Sequence, residues 1–188
     1  MIRALTTRRS AAGVQLWQGT EGVAVRSHPL ELQRGESSRK YMASVLDLAS
    51  ISSHWPAHRL FLTQGALFVV VVDVRKCQGD EESFREYLGC WLESLLAHVA
   101  SPRVLVVGTH ADRVRVRARE WRRTLMQLIH GPGQEGRHDA LPFVDVFGVV
   151  SSVEYQGIEE LRSRLCAFIE EDGAFAHVGS SVPQAYEQ

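Results

Sequence analysis

A chain of 188 residues, 45% hydrophobic and 23% charged, has the make-up of one globular domain with a full hydrophobic core. Its formal net charge of -1 supplies no basic field for nucleic acid or an anionic membrane, so neither is an expected partner. The longest apolar run, residues 66–72, falls far short of the roughly 20 residues of a transmembrane segment, and no signal-peptide pattern opens the chain. In chain order, residues 1–8 read as the tail of a helix and residues 18–22 as a loop. An alternating strand follows through Val23, Val25, Leu30 and Leu32, with Pro29 suited to an edge. Residues 33–38 form a turn and residues 41–47 a second strand, which makes an antiparallel hairpin. Short helical turns are expected over residues 54–63.

Residues 67–73 (Leu-Phe-Val-Val-Val-Val-Asp) are β-branched, continuous and short, the pattern of a buried strand. Residues 81–99 place Phe84, Tyr87, Leu88, Trp91, Leu92, Leu95, Leu96 and Val99 at helical spacing. A strand over 103–107, a helix over 114–129, a Gly-rich loop over 131–140, a strand over 143–150 and a helix over 158–169 complete the chain. Strands and helices that alternate after a hairpin predict a mostly parallel sheet wrapped by helices. Cys77, Cys90 and Cys166 are scattered without CxxC spacing, which reads as reduced thiols of a cytoplasmic protein.

The chemistry concentrates after the strand Val104-Leu105-Val106-Val107. Four apolar residues closed by Gly108-Thr109-His110 and Asp112 read as a doubly buried strand that delivers a polar loop at its carboxyl end. Open α/β sheets bind ligands at that edge. A fixed Asp carboxylate there accepts from both N1–H and N2–H of a guanine, a donor pair that adenine lacks. Other clusters have plainer readings. Arg113, Arg115, Arg117, Arg119, Arg122 and Arg123 form a solvated helix face. His54 and His58 share a helical face but lack a third metal ligand, and Asp73 caps a turn. Trp17, Trp55, Trp91 and Trp121 are expected in the core or at an interface.

The Thr109-His110-Ala111-Asp112 loop resembles the base-reading loop of Ras-like GTPases, in the form carried by the Roc domain of Roco proteins such as the leucine-rich-repeat kinases. Phe61-Leu62-Thr63-Gln64-Gly65-Ala66-Leu67 resembles the run with which Roc domains enter their next strand. Gly19-Thr20-Glu21-Gly22 is similar to a switch I loop, and Asp47 ends a strand where the family places its switch II Asp. Ser151-Ser152 stands where the family touches the guanine oxygen by backbone N–H, and residues 178–186 resemble the entry to a COR domain.

The resemblance implies an α/β, Ras-like (P-loop NTPase) fold, a mostly parallel sheet flanked by helices. Residues 1–175 would be the Roc GTPase-like domain and 176–188 the linker and start of COR. It implies a parent protein that binds GTP or GDP with Mg²⁺, acts as a cytoplasmic signalling switch, and forms a homodimer through COR. That parent would also carry leucine-rich repeats and a kinase domain. Thr109, His110, Asp112, Ser151 and Ser152 would hold guanine, while Thr20 and Asp47 would serve the metal.

Three departures qualify this. The phosphate-binding loop Gly-x-x-x-x-Gly-Lys-Ser/Thr is missing from the sequence: neither Lys40 nor Lys76, its two lysines, follows a Gly. Ser50 replaces the switch II Gly, and Ile51 stands where a polar residue orders the attacking water. The chain is therefore expected to start just past the first strand and phosphate loop, to bind nucleotide weakly, and to be inactive alone. The alternative is a degenerate GTPase fold used as an interaction scaffold. A missing first strand also predicts either direct pairing of strands 41–47 and 67–73 or an open apolar edge.

Overall fold

The computed structural model describes residues 23–34, 37–48, 59–114, 118–131, 144–171, 173–175 and 178. The expectations for Thr20, Ser50, Ile51, His54, His58, Trp17 and Trp55 lie outside the described residues, as does all of the COR-like segment except Val178.

Strands β1 (Val23–Arg34) and β2 (Ser37–Leu48) pair antiparallel in unbroken register from Val23↔Leu48 to Arg34↔Ser37. They run longer than their alternation predicts, because the ladder continues to Arg34↔Ser37. Strand β3 (Leu67–Asp73) has the predicted bounds, since its valines leave little alternative to an extended buried strand. It pairs in parallel with β4 (Arg103–Thr109), which pairs in parallel with β5 (Val144–Val149), in the order β3-β4-β5.

Helices make the crossovers. Helix α1 combines an α-turn Glu81–Phe84, a π-helical turn Arg85–Gly89 and an α-helical stretch Cys90–His98. Asp80 caps it by accepting from Ser83 N–H at 2.8 Å, and Glu81 and Glu82 suit the positive end of the helix dipole. Phe84, Leu88 and Leu92 recur every four residues, a spacing that drifts by about 40° per repeat in a regular α-helix. The wider π-turn offsets that drift and keeps all three buried. Helix α2 is described over Ala118–His130, and Val114, where the periodicity predicts its start, is extended and closes a 3-10 turn at Ala111–Arg113. Helix α3 (Ile158–Glu171) follows β5.

The two sheet faces differ. Helices α1 and α2 cover one, where Val72, Val104, Val106, Val144 and Val146 meet Phe84, Leu88, Leu92, Trp121, Leu125 and Ile129. On the other face α3 covers Leu105, Val107 and Val150 with Ile158 and Leu161. At the outer edge of β5, Asp145 accepts from Arg122 of α2 at 3.1 Å and from Arg164 of α3 at 2.9 Å. Arg122 Nε also donates to the Val146 carbonyl, so an edge acceptor is engaged by side chain where no strand pairs.

The β3 edge has no such cover. Strands β2 and β3 belong to separate sheets, and among the described residues no strand lies between them. Direct pairing of β2 with β3 is not found among the described residues, and Val71 of β3 is 48% exposed.

Candidate functional site

The base-reading loop leaves β4 at Gly108, whose position explains its residue type. A Cβ built on Gly108 would lie 2.6 Å from Val74 Cγ1, 3.1 Å from the Trp121 ring and 3.2 Å from the Gly148 carbonyl. Only glycine lets β4 pass between β3, β5 and α2 at this point. Thr109 then ties the loop to β3: its hydroxyl donates to Val72 O at 3.2 Å, and its own carbonyl accepts from Val74 N–H at 3.3 Å. His110 takes a left-handed backbone, φ 67°, which turns the chain into the 3-10 turn that carries Asp112.

Strand β5 supplies the facing wall. Its register with β4 slips between Val106 and Val107, so that Val106 opposes Val146 but Val107 opposes Gly148, at φ 135°. This bulge re-aims the end of β5 toward the loop. Val150 N–H donates to Gly108 O at 2.9 Å, and Ala111 N–H donates to Val150 O at 3.2 Å. Ser151 is thereby brought to Asp112.

Ser151 is the buried polar residue of the described core, at 0% exposure. Its hydroxyl donates to Asp112 Oδ1 at 2.8 Å and accepts from Glu154 N–H at 3.1 Å. Its N–H, the group the resemblance assigns to the base, donates to Gln156 O at 3.0 Å. The hydroxyl beside Asp112 holds that carboxyl below its ordinary value of 3.8, and the charges of Arg113 and His110 act in the same direction. The Asp112 side chain is 10% exposed, and Arg113 Nε stands 3.1 Å from its Oδ2.

A second carboxylate closes the site on the β3 side. Asp73 accepts from Arg75 N–H and Nε at 2.9 Å and from Arg75 Nη2 at 2.6 Å, and these bonds hold it below 3.8. His110 Nε2 lies 3.9 Å from Asp73 Oδ2, so the imidazole stands between the acidic groups of two strand ends. The turn-cap reading of Asp73 covers only its bond to Arg75 N–H. Its approach to the base loop was not anticipated, although an Asp that ends one parallel strand beside a loop-bearing neighbour was a usable signal.

The structure therefore gathers Thr109, His110, Asp112 and Ser151 at the carboxyl ends of β4 and β5, with Ser152 in the turn that follows. Asp47 sits in β2 opposite Ala24, in the other sheet. Among the described residues no three His, Cys, Asp or Glu side chains gather to hold a metal ion. None of the helices there is long and apolar enough to cross a membrane.

The parallel sheet, its helical crossovers and the loop at the strand ends define a Ras-like, P-loop-NTPase-type α/β fold. The fold resembles that of a Roco protein. The structure of Methanosarcina barkeri Roco2 RocCORdC bound to GDP is similar with a TM-score of 0.51 and 18% sequence identity, over 78% of this chain and 38% of that one. No family model matches the chain. In sequence it is 24% identical over 143 residues to the probable serine/threonine-protein kinase pats1 of Dictyostelium discoideum, across 76% of this chain. It is 31% identical over 75 residues to the probable serine/threonine-protein kinase roco6 of the same organism, across 40% of this chain. The chain spans only 4% and 3% of those proteins.

Proposed function

We propose that this domain is a Roc-type module that binds a guanine nucleotide through Asp112, as part of a Roco-family signalling protein. The observation that carries the reading is the Ser151 hydroxyl on Asp112 Oδ1 at 2.8 Å. It keeps a nearly buried carboxylate ionised and oriented at the ligand edge of the sheet. A guanine there donates N1–H and N2–H to that carboxylate, with His110 and Thr109 shaping the pocket and Ser152 offering its backbone. The GDP in the Roco2 structure supports the ligand class.

Within the parent protein the domain would act as a GTP/GDP switch coupled to COR, with dimerisation through COR and a cytoplasmic site of action. Thr20 and Asp47 are the residues that would serve a Mg²⁺ arriving with the phosphates, and Ser50 and Ile51 make hydrolysis slow. Lacking a phosphate loop in its sequence, this chain binds nucleotide weakly by itself. The open β3 edge favours a second reading, a GTPase-like fold used as an interaction scaffold.

The test is base selectivity, read by NMR titration at millimolar ligand. The native chain should shift with guanosine diphosphate and not with adenosine diphosphate. Asp112→Asn should weaken the guanine ligand by about 30- to 1,000-fold and move preference toward xanthine. Equal response to both bases, or an unchanged Asp112→Asn, refutes the reading and leaves the scaffold.

A further inference from the structure

Asp112 Oδ1 receives the Ser151 hydroxyl, and the Arg113 guanidinium is ion-paired with its other oxygen, Oδ2, with Nε at 3.1 Å. A guanine needs both oxygens to receive its N1–H and N2–H. The N1–C2–N2 edge of guanine is itself a cyclic guanidine, with two parallel N–H donors that address a carboxylate as an arginine does. Arg113 thus presents to Asp112 a charged form of the group by which the base would be recognised.

We propose that Arg113 is an internal competitor for the base site, a guanidinium that must leave Asp112 before guanine can be read. This rests on the guanine reading above. The geometry favours an exchangeable occupant. The Arg113 side chain is 68% exposed, so it is released into water without breaking any buried packing. Its backbone is held independently, with Arg113 N–H donating to His110 O at 3.0 Å, so the side chain can swing while the 3-10 turn stays closed. Ser151, by contrast, is wholly buried and stays on Oδ1. Among the described residues, Arg75 and His110 are the other cationic or imidazole groups whose charge bears on this region, and both are engaged toward Asp73. Among the described residues, Arg113 is the cation paired with the recognition oxygen.

Competition by a charged side chain leaves a signature that a contact favourable to the ligand would not. Guanosine is uncharged, so its own binding has no phosphate-derived salt dependence. Salt screens an exposed ion pair and so weakens the competitor. Native protein should therefore bind guanosine more tightly as ionic strength rises, the reverse of the usual trend for a charged ligand.

The experiment titrates native protein, Arg113→Gln and Arg113→Lys with guanosine, with adenosine as control, by NMR at low and high salt. Thermal unfolding checks that each variant is folded. At low salt Arg113→Gln should bind guanosine up to about fivefold more tightly than native, the range expected on losing an exposed ion pair. The gain should vanish at high salt, and Arg113→Lys should keep the salt dependence. Guanosine binding that is unchanged or weaker in Arg113→Gln overturns the proposal and leaves the guanine reading standing. Failure of both native protein and Arg113→Gln to prefer guanosine over adenosine overturns both.

Discussion

Val71 and Val107 are neighbours in register on adjacent parallel strands and face the same side of the sheet, yet Val71 is 48% exposed and Val107 0%. The difference lies in what covers them. Helix α3 brings Ile158 and Leu161 over β4 and β5, and on β3 this cluster takes in Val69 but not Val71. A valine-rich strand is the chemistry of a sheet interior, but here it forms an edge. The ends of β4 and β5 are the opposite case, with side chains, backbone and a bulge all committed to one loop. One end of this sheet carries the candidate site, while at its β3 edge no further strand pairs among the described residues.

The largest expected contrast is in stability. Leu105→Ala empties a fully buried site under α3 and should cost about 2–5 kcal/mol. Val71→Ala, at the half-exposed edge, should cost under about 1 kcal/mol. Urea unfolding of the two variants measures the gap, and similar losses would mean that β3 is covered in solution.

A smaller effect tests the built end. Ser151→Ala removes a buried hydroxyl that bridges Asp112 and Glu154, two hydrogen bonds of about 0.5–1.5 kcal/mol each. Beyond that loss of stability, the Asp112 carboxyl should titrate closer to its ordinary 3.8, since its principal depressing partner is gone. Carbon-detected NMR titration of Asp112 would show this, and an unmoved titration would mean that Ser151 does not hold it.

The smallest effect is the acid dependence. Asp73 and Asp112 are both held below 3.8 in the fold, so the unfolded chain binds more protons as pH falls past that value. Their contribution is complete above 3.8 and is lost as pH drops through the folded-state values. Asp73→Asn should flatten the acid limb of the unfolding midpoint, and a limb of unchanged slope would place the linkage elsewhere.

The bounds of β3, the hairpin, the helical stripe from Phe84 toward Val99 and the Thr109-His110-Ala111-Asp112 loop were all legible in the sequence. Each is written in a local period or a short polar motif, and a run of valines or a repeat of leucines carries that period wherever it is placed. What the tertiary structure decided involves partners far apart in the chain. Ser151 meets Asp112 across 39 positions, through a bulge at Gly148 that no alternation announced. Arg122 and Arg164 meet on Asp145 from different helices. Whether β2 would pair with β3 was likewise undetermined, because both strands have edges able to accept a neighbour. Composition and periodicity say which face of an element is apolar. Only the reach of α3 and the absence of a strand between β2 and β3 among the described residues say which apolar residues end up in water.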